Sequence, residues 1–146
     1  MKRPLLSIQI LLCAIVIAAA ACGGYSTSPT TSAAGNYTAI SFVMSGSSGQ
    51  SDQITSGGSL LLNLASGGAT SGHLHVVASG SNPAVDADMA GTWSQNGDLV
   101  AISQSADTFV RNMPFTLTLD PAYGWTLVGN KDFAGTNINI TLKRVS

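Results

Sequence analysis

Apolar residues recur at every second position in several short stretches of this chain. The clearest sets are Ile40/Phe42/Met44, Leu60/Leu62/Leu64, Tyr123/Trp125/Leu127 and Ile138/Ile140/Leu142. Because side chains alternate between the two faces of a strand, this spacing predicts β-strands with one buried and one solvated face. Runs rich in β-branched and aromatic residues, separated by Gly, Ser, Asn, Asp or Pro, predict about eight strands: 37–44, 59–65, 72–78, 85–94, 98–103, 108–111 continuing through 115–119, 123–128 and 136–145.

Short turn signals between these runs favour neighbouring antiparallel strands. Asn96-Gly97 predicts a hairpin, since a type I′ turn needs positive φ at both central positions. Gly67-Gly68 and residues 79–83 predict further hairpin loops. Eight strands in meander order can close and so remove their exposed edges. We therefore expect an all-β domain over residues 36–146, an up-and-down barrel; a two-sheet β-sandwich built from the same strands is the alternative.

Composition agrees with strands and argues against a nucleic-acid partner. Charged residues make up 9% of the chain and Glu is absent, so the residues that favour helices are scarce. After residue 21 four basic residues stand against seven Asp, a net charge of −3. A negative domain of this kind is not expected to bind the phosphate backbone.

The first 21 residues have the plan of a signal peptide. Lys2 and Arg3 form a basic start, and residues 10–21 are apolar without interruption and end in alanines. This stretch is shorter than the roughly 20 residues that span a bilayer. The segment Ala19-Ala20-Ala21-Cys22 resembles the lipobox of bacterial lipoproteins, in which the Cys receives a diacylglycerol thioether before cleavage on its amino side.

That resemblance implies a mature protein anchored to a membrane by acyl chains such as palmitate on Cys22. Cys13, the other cysteine, would leave with the signal peptide, so Cys22 would have no disulfide partner. An ordinary residue beside a conventional cleavage site is the alternative reading of Cys22. Gly23 after it resembles lipoproteins released to the outer membrane, on the periplasmic or exterior side. The polar and small residues of 22–35 predict a flexible linker.

Two Gly-x-aromatic segments carry a second resemblance. Gly91-Thr92-Trp93, followed by a turn and an apolar strand, is similar to the Gly-x-Trp strand starts of lipocalin-like and avidin-like barrels, and Gly35-Asn36-Tyr37 has the same form with Tyr. In lipocalins this motif opens the first strand, whereas Gly91 lies in the middle of the domain. The chain as a whole is similar to small bacterial lipocalin-like lipoproteins of no established activity. In such barrels an Arg often lies across the indole, a role open to Arg111 or Arg144.

His73 and His75 are two residues apart on a predicted strand and therefore share a face. A hairpin after residue 78 would bring Asp86 and Asp88 across from them, and two imidazoles with two carboxylates suit Zn²⁺. The same alternation directs the neighbouring apolar residues inward. We therefore expect no metal site, and interpret the four as cross-strand polar pairs on a solvated face.

Four residues are candidates for binding a small ligand: Arg111, Trp93, Trp125 and Tyr123. Alternation with Phe109 and Met113 would place the stem of Arg111 on the apolar face, where its guanidinium could pair with a carboxylate such as that of a fatty acid. A structural or solvated Arg111, and core positions for the aromatics, are the alternatives.

No constellation of catalytic residues stands out in the sequence, so we expect neither an enzyme nor a cofactor. The predicted function is that of an exported, membrane-anchored binding module for a small apolar or amphipathic molecule. The alternative is a structural or protein-interaction domain of the envelope, since an eight-stranded barrel is just wide enough either to be filled by its own side chains or to hold one ligand.

Overall fold

The computed structural model describes residues 31–79, 83–106 and 108–145. The predicted signal peptide, Cys22 and residues 23–30 of the predicted linker lie outside the described residues. Within the described ranges the regular structure is entirely β. The strands are β1 (Gly35–Gly46), β2 (Gly49–Asp52), β3 (Ser59–Leu64), β4 (Ala69–Val76), β5 (Val85–Asp88), β6 (Gly91–Asn96), β7 (Leu99–Gln104), β8 (Pro114–Asp120), β9 (Gly124–Phe133) and β10 (Thr136–Val145).

Eight of these strands form a closed antiparallel barrel. The order around it is β10-β9-β8-β7-β6-β4-β3-β1, and pairing of β1 with β10 closes the circle. Each barrel strand lies beside its neighbour in the chain once the two additional strands are set aside: β2 pairs with the end of β1, and β5 pairs with the end of β4. The prediction of an all-β up-and-down barrel is confirmed, and the sandwich does not form.

One observed strand was not predicted, and two predicted runs differ from the strands observed. β2 was missed because its sequence, Gly-Gln-Ser-Asp, has no apolar residue. The predicted run 85–94 is interrupted at residues 89–90, so that β5 pairs with the end of β4 and β6 with its start. The predicted run 108–111 is wrong: these residues form a turn, and Asn112 after them has φ of 57°.

The side chains predicted to face inward fill the barrel, except that β1 changes its inward face partway along its length. Leu60, Leu62 and Leu64 of β3 are at most 2% exposed, and Ile138, Ile140 and Leu142 of β10 at most 1%. In β1 the pairing with β10 shifts between Ala39 and Ser41, a β-bulge at Ile40. Before the bulge Tyr37 and Ala39 face inward, and after it Phe42 and Met44 do. Ile40 therefore does not share a face with Phe42 and Met44, as the alternation had predicted.

The predicted hairpin at residues 96–97 forms, but its turn is centred one residue later. Gln95 pairs with Val100 and Asn96 with Leu99, which leaves Gly97 and Asp98 as the two loop residues. Gly97 has φ of 60° and Asp98 does not have positive φ. Glycine with positive φ at the first central position is the pattern of a type II′ turn, which also suits the twist of the flanking strands.

Candidate functional site

One end of the barrel, here called the closed end, is crossed by residues 31–34. The side-chain amide of Gln95 donates a hydrogen bond to the Thr31 carbonyl (2.8 Å) and accepts one from the Ala33 N–H (2.8 Å). On the other side of the barrel the Tyr37 hydroxyl donates to the Ala33 carbonyl (2.7 Å). Ala33 is completely buried, although the composition predicted a linker as far as residue 35. The segment therefore closes this end.

Arg144 lies over Tyr37 at the closed end, 5.4 Å from the guanidinium carbon to the ring centre. Its Nη2 donates to the Tyr37 hydroxyl (2.8 Å) and to the Ser32 carbonyl (2.6 Å). Gly35 makes room for this arrangement, since a Cβ there would lie 3.1 Å from Arg144 Nε. Burial raises the pKa of Tyr37, and the Arg144 guanidinium opposes that rise. The Arg-over-aromatic contact expected at Trp93 is thus made by Arg144 at Gly35-Asn36-Tyr37, on the first strand.

The opposite end, here called the mouth, holds an apolar pocket of about 180 Å³. Thr136 lies in the wall of this pocket among apolar residues and is nine-tenths buried. Phe109 is anchored on the core by contact with the ring of Phe42, with ring centres 5.6 Å apart. Phe133, at the tip of the β9–β10 hairpin, remains 41% exposed. The apolar side chains of the wall include Met44, Val76, Val85, Phe109, Phe133 and Ile138.

Two basic residues lie at the rim of the mouth. Lys131 pairs with Ile138, a residue of the pocket wall, and its ammonium group is 5.9 Å from the centre of the Phe133 ring. The same ammonium donates a hydrogen bond to the backbone carbonyl of Arg111 (2.5 Å). The mouth therefore combines an apolar wall with positive charge at its edge, a pairing that suits an amphipathic anion.

The four predicted ligand residues are divided between the two ends. Arg111 lies near the mouth, but its expected inward position is wrong: the turn that replaces the predicted strand exposes it. Trp93 lies toward the closed end, where its indole N–H donates to the Ala65 carbonyl (2.8 Å). Trp125 packs against the core there and Tyr123 is exposed in the adjoining turn.

Sequence reasoning missed the residues that do line the pocket. Phe109 was assigned to a strand rather than to the turn that carries it over the mouth. Phe133 offered a usable signal, since it is an aromatic residue directly before Ala134-Gly135 in a hairpin turn, where polar residues are the norm.

His73, His75, Asp86 and Asp88 meet on the outer face, in the register expected: His73 pairs with Asp88 and His75 with Asp86. His73 Nε2 contacts Asp86, His73 Nδ1 lies 3.4 Å from Asp88 and His75 Nδ1 lies 3.0 Å from Asp86. Hydrogen bonds to Asp88 and Asp86 raise the pKa of His73, and those from His75 and His73 lower the pKa of Asp86. In the described part of the chain no group of three or more His, Cys, Asp or Glu is arranged to hold a metal ion.

Comparison with known proteins identifies no relative from which a function could be inferred. No family model matches the chain, and neither the curated proteins nor the solved structures contain a significant match. Among the described residues no helix is long and apolar enough to cross a membrane. The closed eight-stranded barrel is consistent with a lipocalin-like fold.

Proposed function

We propose that this protein is an exported lipoprotein, anchored through Cys22, whose barrel binds the apolar part of a small amphipathic molecule at the mouth without chemically changing it. The observation that carries the ligand proposal is the apolar pocket with Phe109 and Phe133 in its wall and Lys131 at its rim. The anchor and its location at the cell envelope, in an outer membrane where the cell has one, are inferred from the sequence of residues 1–23.

The size of the pocket limits what it can take. A volume of about 180 Å³ is below the roughly 300–1,000 Å³ of pockets that enclose drug-sized ligands. The barrel below the pocket is filled by its own buried side chains, among them Phe42, Leu60 and Leu74. We therefore propose that only the end of an acyl chain or a single ring is enclosed, while an anionic head group remains outside beside Lys131.

The first test is native mass spectrometry of the protein purified from its own host, followed by titration with fatty acids of increasing chain length. Lys131→Met should weaken binding of a fatty acid anion about three- to tenfold, as expected for one partly exposed charge pair. It should not weaken binding of the alcohol of equal chain length. Lys143→Met, which removes the same charge from the barrel wall, is the matched control.

A second pair of variants tests the pocket itself. Val85 is partly buried in the pocket wall, so Val85→Phe should fill the pocket and abolish binding of both the acid and the alcohol. Val128→Phe adds the same ring to an outward-facing position that is 44% exposed and should leave binding unchanged.

The packed interior favours one alternative, a protein-interaction domain of the envelope. A protein that carries no co-purified molecule and takes up neither fatty acid nor alcohol would refute the ligand proposal in favour of this alternative.

A further inference from the structure

The turn between β8 and β9 exposes an apolar tip at the closed end of the barrel. Leu119 is 62% exposed and Tyr123 is 53% exposed, the two highest values among large apolar side chains of the described residues. Trp125 pairs with Leu119 across the hairpin and is partly buried against the core. We call Leu119, Tyr123 and Trp125 the rim patch.

The turn holds the rim patch in a fixed position. One carboxylate oxygen of Asp120 accepts hydrogen bonds from the N–H groups of Ala122 (2.8 Å) and Tyr123 (3.0 Å). Asp120 is also the only charged residue between Leu119 and Trp125. The tip therefore presents apolar side chains on a backbone whose polar groups are partly satisfied from within.

The rim patch lies beside the point where the N-terminal part of the chain enters the barrel. Lys143 pairs with Thr126, so the next residue, Arg144, is beside Trp125 in the sheet. Arg144 in turn donates a hydrogen bond to the Ser32 carbonyl (2.6 Å). The chain that leads back to Cys22 thus starts within one strand of the rim patch.

The covalent length of that chain limits how far the rim patch can be from the anchor. Nine residues, 22–30, separate the proposed lipid from Thr31. Fully extended they span at most about 30 Å, and a random coil of this length spans about 15–18 Å. A lipid on Cys22 would therefore hold the closed end close to the bilayer surface.

We infer that the closed end rests on the bilayer that holds the Cys22 lipid, with the rim patch inserted at the membrane–water interface. The inference rests on the anchor part of the proposed function. Trp and Tyr are favoured at this interface because each combines an apolar ring with a polar group. Leu119 supplies apolar area for the acyl boundary, and Lys143 and Arg144 on the adjacent strand supply positive charge toward anionic head groups.

The test uses the full chain, processed and purified from membranes and reconstituted into vesicles that contain brominated phosphatidylcholine, with and without phosphatidylglycerol. Flotation with the vesicles and the intact mass of the processed protein report the anchor. Quenching of tryptophan fluorescence by bromine reports the rim patch, since the two tryptophans of the chain are Trp93 and Trp125. Trp125→Phe should lose most of the quenching, because Trp125 adjoins the exposed tip, whereas Trp93 is partly buried and its indole N–H is hydrogen-bonded to the Ala65 carbonyl.

The double variant Leu119→Ser/Tyr123→Ser should still float but lose most of the quenching. Its unlipidated form, carrying Cys22→Ser, should partition into vesicles roughly tenfold less well than Cys22→Ser alone. Val128→Ser, which removes an exposed apolar side chain from the barrel wall, is the matched control and should change neither value. Tyr123→Ser alone serves if the double variant fails to fold.

The outcomes for the anchor and for the rim patch are separate. A protein that floats with a lipid on Cys22 but shows no more quenching than Trp125→Phe overturns the inference and leaves the anchor standing; burial of Trp125 in a dimer would then assign the rim patch to a second copy. A protein without lipid on Cys22 refutes the anchor. Quenching of that protein at saturating vesicle concentration still supports the rim patch, and its absence overturns it.

Discussion

Replacing Arg144 with methionine keeps most of the side-chain length but removes the guanidinium that links β10 to Tyr37 and to residues 31–34. The substitution breaks two hydrogen bonds to the Tyr37 hydroxyl (2.8 and 3.1 Å) and one to the Ser32 carbonyl (2.6 Å). It also removes the charge that lies 5.4 Å from the Tyr37 ring. Hydrogen bonds from a charged donor contribute about 1.5–3 kcal/mol, and an exposed cation–π contact adds about 0.5–1 kcal/mol. Because Arg144 is only partly buried, we expect the free energy of unfolding to fall by about 2–3 kcal/mol.

A double-mutant cycle separates the hydroxyl contact from the ring contact. Tyr37→Phe keeps the ring, so its coupling to Arg144→Met reports the hydrogen bonds to the hydroxyl, about 1–2 kcal/mol. Urea denaturation followed by tryptophan fluorescence measures all four proteins, with Lys143→Met as the charge control. Arg144→Met should also raise the pKa of Tyr37 further, because burial already raises it and Arg144 opposes that rise. If the effects of Arg144→Met and Tyr37→Phe on the free energy of unfolding add within about 0.5 kcal/mol, the proposed coupling between the two residues at the closed end is refuted.

Three further outcomes follow from local structure. Ala134 has φ of 50° in a two-residue turn, so Ala134→Asn should raise the free energy of unfolding by about 1 kcal/mol; an unchanged value in urea denaturation would contradict the strain. Asp88→Asn should lower the pKa of His73 in an NMR titration, because Asp88 raises it. The stabilisation from the His73–Asp88 pair is full below the ordinary pKa of about 6.5 and is lost as pH rises through the pKa of the folded protein. A difference in the free energy of unfolding between the two proteins that does not depend on pH would therefore refute the coupling. Gly91→Ala should unfold the barrel or lower its stability by more than 3 kcal/mol, since a Cβ would lie 2.1 Å from the Ser103 carbonyl oxygen; a thermal melt like that of the wild type would contradict the close packing of these strands.

The fold could be predicted from the sequence because each barrel strand buries one face and exposes the other, so that apolar and polar residues alternate along it. The sets in β3 and β10 kept their alternation, and the polar pairs of His73 and His75 with Asp88 and Asp86 followed from one hairpin. What the period could not show is where the backbone departs from it. The bulge at Ile40 and the turn at residues 108–112 both depend on contacts with distant strands, and period-two reasoning assigns a face only within an unbroken strand.

The candidate site was less predictable than the fold for the same reason. Val85, Phe109 and Phe133 lie far apart in sequence and line one pocket only because the strands form a barrel. Trp93 and Trp125, which the sequence favoured as ligand-binding residues, lie toward the closed end because of their positions along β6 and β9. Large aromatics are good candidates for either packing or binding, and strand direction decides between these roles.

Strand direction also determines how a ligand would reach the mouth of an anchored protein. β10 has ten residues, which at about 3.3 Å each and a tilt of about 40° raise the mouth roughly 25 Å above the closed end. With the closed end on the bilayer, the mouth opens into the aqueous phase, and a fatty acid must leave the membrane before it can bind. The rate of uptake of a fluorescent fatty acid from donor vesicles should therefore equal its desorption rate, whether the protein is anchored in the donor vesicles or in separate ones. Faster uptake by protein anchored in the donor vesicles, measured by stopped flow, would show direct transfer from the bilayer and contradict this orientation.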